Sequence, residues 1–189
     1  ILSKRPEMML PGNWPVYYKQ TKGCKIRDID GNEIYDLSLM GVGTNVLGYR
    51  NKYIDKKVIN VIREGNISSL NNFYEVKLAK ELMKIHPWAN QAKFARTGGE
   101  ANAMAIRIAR AATKNGKIAI CGYHGWHDWY LAANIKNKNN LNSHLLKNIP
   151  VNGVPEELKK NIFTFEFNDF ERLKFLVETK KVKIIKMEV

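Results

Sequence analysis

The spacing of apolar residues changes along this chain, and each change predicts a different element. Residues 1–22 contain prolines and scattered aromatics without a sustained period, which predicts an irregular arm. Residues 24–29 and 33–37 then flank Asp30-Gly31-Asn32. Since glycine accepts the positive φ that a tight turn requires, the Asp-Gly pair predicts a β-hairpin.

Two helices are predicted next, after a loop marked by glycines at 41, 43 and 48. The first begins after Asn51, a good N-cap residue, and ends at Gly65, a typical C-terminal residue of helices. Its apolar residues fall at helical spacing: Ile54, Val58, Val61 and Ile62. The second helix covers about 74–86, because Pro87 disfavours helical backbone in the residue before it.

From residue 93 onward, short apolar segments alternate with helical ones. The predicted strands are 93–95, 117–121, 162–167 and 182–189, and the predicted helices are 100–112 and 170–179. This alternation predicts an α/β fold with a mostly parallel sheet. Residues 134–153 are rich in Asn and Lys and are predicted to be a surface loop or a weak helix.

Composition narrows the class of protein. With 189 residues and 44% hydrophobic residues, the chain can bury a substantial core. The net charge of +13 comes from scattered lysines and arginines, which favours a solvated surface over a nucleic-acid groove. No apolar run approaches the ~20 residues of a membrane span. We therefore expect a cytoplasmic protein without membrane or nucleic-acid partners, and reduced, structural thiols at Cys24 and Cys121.

Residues 97–100, Thr-Gly-Gly-Glu, form the first candidate site. Two glycines between a strand and a helix let the backbone approach a ligand, and the helix N-terminus offers free N–H groups to an anion. A phosphate group fits this arrangement. A purely structural turn explains the glycine pair equally well, and the pattern matches neither the Walker nor the Rossmann motif.

Residues 122–130, Gly-Tyr-His-Gly-Trp-His-Asp-Trp-Tyr, form the second candidate site, directly after a predicted strand. Because residues after parallel strands line one edge of the sheet, this segment and the 97–99 turn are expected to share one ligand. Tyr123 is suited to stack on a planar heterocycle. The aromatic residues also suit simple loop packing, and His124, His127 and Asp128 suit a metal site, although no further ligand is evident.

The order and spacing of these motifs resemble those of class III aminotransferases, especially the branch that contains glutamate-1-semialdehyde aminomutase. The resemblance rests on residues 97–103, 107–111, 118–119 and 122–125, and extends to the hairpin and the glycines at 41, 43 and 48. It implies a fold-type I α/β enzyme that uses pyridoxal 5'-phosphate and forms a homodimer. Residues 1–50 would then be an N-terminal arm and hairpin segment, and 51–189 the first part of the large, cofactor-binding domain.

The resemblance also implies which residues hold the cofactor. The expected cofactor-binding residues are Thr97, Gly98, Gly99, Tyr123, His124 and Glu188. The 97–99 turn would bind the phosphate, Tyr123 would lie against the pyridine ring, and Glu188 would follow a strand beside the cofactor. Gly99 stands where the family more often has threonine or serine, so that a backbone contact replaces a hydroxyl there. No metal is expected.

The implied chemistry is amino-group transfer between a small-molecule donor and acceptor, or a 2,1-aminomutase reaction. The Schiff-base lysine and the aspartate that pairs with the ring nitrogen are expected beyond Val189, so residues 1–189 alone are expected to be inactive. Residues 122–130 also resemble a subgroup of amino-sugar or surface-polysaccharide pathways, which favours an aminotransferase. The substrate is then a small amino or oxo compound or an amino sugar. The rival function is a non-catalytic phosphate- or nucleotide-binding module.

Overall fold

The structure is a computed structural model that describes residues 14–144 and 147–188. The chain divides between Lys80 and Glu81 into two compact units. This division lies inside a helix, whereas the predicted boundary at 50/51 stays a prediction. Among the described residues, no helix is long and apolar enough to cross a membrane.

The first unit contains a three-stranded antiparallel sheet of β1 (Tyr18–Lys22), β2 (Lys25–Asp28) and β3 (Glu33–Tyr35). The predicted hairpin is confirmed as β2 and β3, with Gly31 at φ 93°. The end of the predicted irregular arm is instead strand β1, which pairs with β2 across a turn at Gly23 (φ 59°). The whole arm was predicted to be irregular partly because of its prolines at 6 and 11, which lie outside the described residues.

Helices α1 (Lys52–Glu64) and α2 (Phe73–Ile85) confirm the two predicted amphipathic helices. The Asn51 side chain accepts hydrogen bonds from the amides of Tyr53 (3.1 Å) and Ile54 (3.3 Å), which satisfies two free N–H groups of the first turn. Gly65 ends α1 at φ 98°. Neither helix buries a residue, so their apolar faces are exposed.

The second unit is built on a parallel sheet in the order β5-β4-β6, with β4 (Ile118–Cys121) between β5 (Ile162–Thr164) and β6 (Ile184–Met187). All residues of β4 are buried, because both faces of this central strand are covered. Ile118 and Ile120 pack in one cluster with α3 (Gly98–Thr113), and Ala119 and Cys121 in another with α6 (Phe170–Glu178). The α/β fold with a mostly parallel sheet is thus confirmed.

One prediction for this unit is wrong, and a second is wrong in part. Residues 93–95 form no strand; Phe94 is 39% exposed, and no neighbouring strand within the described residues pairs with this segment. Residues 134–153 are not simply a surface loop either, because four of their side chains are buried: Asn134, Leu141, His144 and Ile149. Asn134 donates to the Ile149 carbonyl (3.2 Å) and accepts from the Leu141 amide (2.9 Å), so its side chain replaces backbone pairing inside the loop.

Three short helices complete the second unit: α4 (Asp128–Leu131), α5 (Ala133–Lys136) and a 3-10 helix (Glu156–Asn161). None of them was predicted, because elements of four to six residues carry too little periodicity to be recognised. α4 begins within the aromatic segment 122–130 and buries Trp129, Tyr130 and Leu131. It therefore fixes the end of that segment in the core.

Candidate functional site

The N-terminus of α3 is held by two reciprocal side-chain contacts. The Thr97 hydroxyl oxygen accepts from the Glu100 amide (3.2 Å), and the Glu100 carboxylate accepts from the Arg96 amide (2.9 Å). This is close to the capping box that a T-x-x-E sequence forms before a helix. The T-x-x-E signal is present in the sequence, but the site was predicted only from the two glycines between these residues.

The capping leaves two amides of the first turn free. The Ala101 amide bonds to the Thr97 carbonyl (3.0 Å), and the Glu100 amide is capped. The amides of Gly98 and Gly99 have no partner among residues 14–144 and 147–188. Gly98 is exposed, with open space where a side chain would stand. Free N–H groups at the positive end of a 16-residue helix form a site suited to an anion such as phosphate.

The segment after β4 lies directly against this helix end. A Cβ atom on Gly125 (φ 99°) would lie 3.1 Å from the Gly99 Cα, so that only glycine allows this close approach. The Asn102 side chain donates to the His124 carbonyl (3.1 Å) and ties the segment to α3. The structure therefore brings together the two motifs that the sequence analysis placed at one edge of the sheet.

Tyr123 is the aromatic residue best placed to contact a ligand at this edge. Its ring is partly buried and meets the ring of Tyr130 edge to face, at 5.9 Å and 84°. Burial, and then the negative charge of Glu188, raise the pKa of the Tyr123 phenol. Tyr123 therefore presents a neutral ring whose orientation Tyr130 supports, as stacking on a planar group requires.

His124 has a different environment from Tyr123. Its side chain is 2% exposed, and Nε2 lies 2.8 Å from the Cys121 carbonyl oxygen, which can only accept a hydrogen bond. Burial, and then the charge of Lys186, lower the pKa of the imidazole. The ring is thus a neutral donor that holds the chain after β4, and its predicted contact with the cofactor stays a prediction.

Glu188 follows β6 and lies beside the turn after β4. Its amide donates to the Cys121 carbonyl (3.0 Å), and its Cβ would be 2.8 Å from a Cβ on Gly122. The carboxylate is exposed and close enough to raise the pKa values of Tyr123 and Tyr130. The edge of the sheet therefore carries one negative charge near the Tyr123 ring.

The metal hypothesis gains no support from the structure. Within the described ranges, no three His, Cys, Asp or Glu side chains are placed to hold an ion. The hypothesis needed Nε2 or Nδ1 of His124 as a ligand, but Nε2 is already bonded to the Cys121 carbonyl.

Two residues in this site, Asn102 and Tyr130, were not singled out as site residues from the sequence, and a third, His127, was considered there only as a metal ligand. Asn102 lies on α3 off its apolar stripe, and an amide side chain there could have suggested a contact with a neighbouring segment. Tyr130 is fully buried and donates to the Gly122 carbonyl (3.2 Å), which no local pattern indicates. His127 lies against Gly99, a contact that depends on the course of the loop.

Comparison with known proteins places the chain in a family. The sequence model of aminotransferase class III matches residues 9–183. A 3-aminobutyryl-CoA aminotransferase from Cloacimonas acidaminovorans is 35% identical over 94% of this chain and 39% of its own length. A glutamate-1-semialdehyde 2,1-aminomutase from Methanosphaera stadtmanae is 38% identical over 90% of this chain and 39% of its own length.

A solved structure described as a transaminase with bound pyridoxal phosphate superimposes with a TM-score of 0.79 at 26% identity, over 97% of this chain and 43% of that one. This chain thus spans well under half the length of the relatives it matches. The family match covers most of the sequence, and the fold agrees with it. The chain belongs to the class III aminotransferase family.

Proposed function

We propose that this chain forms the cofactor seat of a pyridoxal-phosphate-dependent enzyme that transfers amino groups, as an aminotransferase or a 2,1-aminomutase. One observation carries the proposal: the free amides of Gly98 and Gly99 lie beside the segment that holds Tyr123. An anion site next to a partly buried aromatic ring matches a ligand with a phosphate group and a planar heterocycle.

The residues present fit this cofactor. The Gly98 and Gly99 amides would donate to the phosphate, and the Thr97 hydroxyl would add a donor, because its oxygen accepts from Glu100 while its proton stays free. Tyr123 would lie against the ring. When bound, pyridoxal phosphate supplies an electron-withdrawing group that stabilises negative charge on the substrate carbon next to the amine.

The reacting groups are expected outside the sequence given. We propose that the lysine that holds the cofactor and the aspartate that pairs with its ring nitrogen follow residue 189, so that residues 1–189 bind the cofactor weakly and catalyse no transfer alone. We favour an aminotransferase with an amino-sugar substrate, on the resemblance of residues 122–130. The donor and acceptor would be small molecules.

Titration of the polypeptide encoded by the whole gene with pyridoxal phosphate tests the proposal. We expect a visible absorbance band, and an affinity about two- to tenfold lower for Tyr123→Ala, since an aromatic contact contributes about 0.5–1.5 kcal/mol. Tyr123→Phe keeps the ring and should bind within about twofold of the wild type. Tyr35→Ala, on an exposed tyrosine of β3, is the matched control and should change nothing.

Absence of an absorbance band with the wild type would overturn the proposal. Retention of a nucleotide instead would favour the rival function, a non-catalytic phosphate- or nucleotide-binding module. An affinity for nucleic acid that falls steeply with salt would also favour a binding module over an enzyme.

We further propose that the enzyme is a homodimer. The apolar face of α1 is exposed, with Ile54 at 45%, Val58 at 51% and Ile62 at 58% exposure. A continuous apolar face of this kind is typical of a surface that another protein surface covers. Sedimentation equilibrium of the whole-gene product should give twice the monomer mass, and a monomer at micromolar concentration would contradict the proposal.

A cytoplasmic location is also proposed. Both cysteines are free thiols, Cys24 exposed and Cys121 buried. Burial raises the pKa of the Cys121 thiol, which keeps it protonated and unreactive. Free, unreactive thiols are typical of proteins in a reducing compartment.

A further inference from the structure

We propose that His127 is an additional phosphate-binding residue of the cofactor site, donating from its imidazole to the anion held by α3. This inference rests on the proposed function and assigns a role to a side chain that the family motif does not include. Its basis is the contact between the His127 ring and Gly99, the second residue of α3.

The His127 ring stands where a side chain of residue 99 would stand. A Cβ atom on Gly99 would lie 2.8 Å from His127 Cδ2 and 2.9 Å from Nε2, distances that real Cβ atoms do not reach. Glycine at 99 therefore makes room for the imidazole. The consequence is that a polar side chain from the segment after β4 lies beside the free amides of Gly98 and Gly99.

The main chain of His127 is anchored by α4. His127 is the N-cap residue of α4, and its carbonyl accepts from the amides of Tyr130 (2.9 Å) and Leu131 (3.1 Å). Tyr130 and Leu131 are both buried, so α4 anchors His127 to the core. The Trp126 ring lies next to the His127 ring, with centroids 5.3 Å apart and planes tilted by 44°. The anchored main chain and the contacts with Gly99 and Trp126 limit the positions that the imidazole can take, which lowers the entropy lost when it binds a ligand.

The ring nitrogens of His127 are free to bind. Neither nitrogen has a hydrogen-bond partner in the part of the chain that the structure describes, and the residue is partly exposed. An imidazole always carries at least one N–H donor, and a hydrogen bond to a phosphate oxygen is charge-assisted. His127 thus adds a side-chain donor to a site that otherwise has backbone amides and one hydroxyl.

Two variants separate binding from packing. His127→Phe keeps a ring against Gly99 but removes the donor, and His127→Gln keeps a donor but not the ring. We expect pyridoxal phosphate to bind at least about tenfold more weakly to His127→Phe, because a charge-assisted hydrogen bond to the phosphate is lost. His127→Gln should retain part of the affinity. The ³¹P resonance of the bound cofactor should shift in His127→Phe.

A swap tests the spatial relation directly. Gly99→Ser alone should weaken binding, because its Cβ would collide with the His127 ring. Gly99→Ser combined with His127→Ala removes the collision and places a hydroxyl at the vacated position, so it should bind more tightly than either single variant. If the double variant lost as much binding free energy as the two single variants together, the proposal would be contradicted.

The outcomes distinguish this inference from the proposed function. If the wild type binds the cofactor and His127→Phe binds it equally well, His127 only packs against Gly99 and the inference is overturned. If the wild type binds no cofactor, the proposed function fails as well. In ¹⁵N-histidine-labelled wild type, the ring nitrogens of His127, one of the four histidines of residues 1–189, should shift on cofactor addition. This measurement uses only the wild-type protein. Unchanged chemical shifts of the His127 ring nitrogens would also overturn the inference.

Discussion

Gly122→Ala is expected to lower the free energy of unfolding by about 2–5 kcal/mol. Gly122 has φ 84°, where a side chain costs about 1–2 kcal/mol. The new methyl group would also lie 2.8 Å from the Glu188 carbonyl oxygen and Cβ. Since Glu188 is bonded through its amide to Cys121 (3.0 Å), it cannot move without disturbing the pairing of β4 with β6, and such overpacking costs about 1–3 kcal/mol.

Gly153→Ala is the matched control for Gly122→Ala. Gly153 has nearly the same backbone angle, φ 85°, but nothing lies within 4 Å of the position that its Cβ would take. Gly153→Ala should lower the free energy of unfolding only by the cost of placing a side chain at positive φ, about 1–2 kcal/mol. Urea denaturation of both variants measures the difference. Equal decreases in the free energy of unfolding would show that Glu188 does not clash with a side chain at position 122.

The sequence predicted the elements whose signals are local. The turn at Gly31 and the ends of α1 at Asn51 and Gly65 depend on the backbone preferences of single residues, and all three are confirmed. Strand β1 was missed and 93–95 was wrongly predicted as a strand. Whether a short segment forms a strand depends on an available neighbour: β1 has β2, and 93–95 has none among the described residues.

The same distinction applies to the candidate site. The proximity of residues 97–99 to 122–125 was predicted on the assumption that both follow strands of one parallel sheet. The proximity is confirmed, but only 122–125 follows a strand, and the contact of Gly125 with Gly99 joins the two segments. The burial of His124 was not, since it depends on a bond to the carbonyl of Cys121 three residues earlier. The contact of His127 with Gly99 depends on the positive φ of Gly125, which turns the segment back onto α3.

We expect Tyr130 to stabilise both the buried core and the arrangement of the candidate site. It is fully buried, and its ring meets Tyr123 at 84° and His124 at 85°, with centroids 5.9 and 5.8 Å away. Burial raises the pKa of its phenol, so the hydroxyl stays protonated and donates to the Gly122 carbonyl (3.2 Å). One side chain therefore supports the turn after β4, the predicted stacking ring and the histidine beneath it.

Tyr130→Ala is expected to cost about 3–5 kcal/mol of unfolding free energy, the range for removing a large buried ring. It should also weaken pyridoxal phosphate binding, because Tyr123 loses the ring that orients it. Tyr130→Phe keeps the ring and removes only the hydrogen bond to Gly122, so it should cost about 1 kcal/mol and leave binding nearly unchanged. Urea denaturation and cofactor titration of the two variants measure both effects. If Tyr130→Ala bound the cofactor like the wild type while losing stability, Tyr130 would support the core but not the orientation of Tyr123.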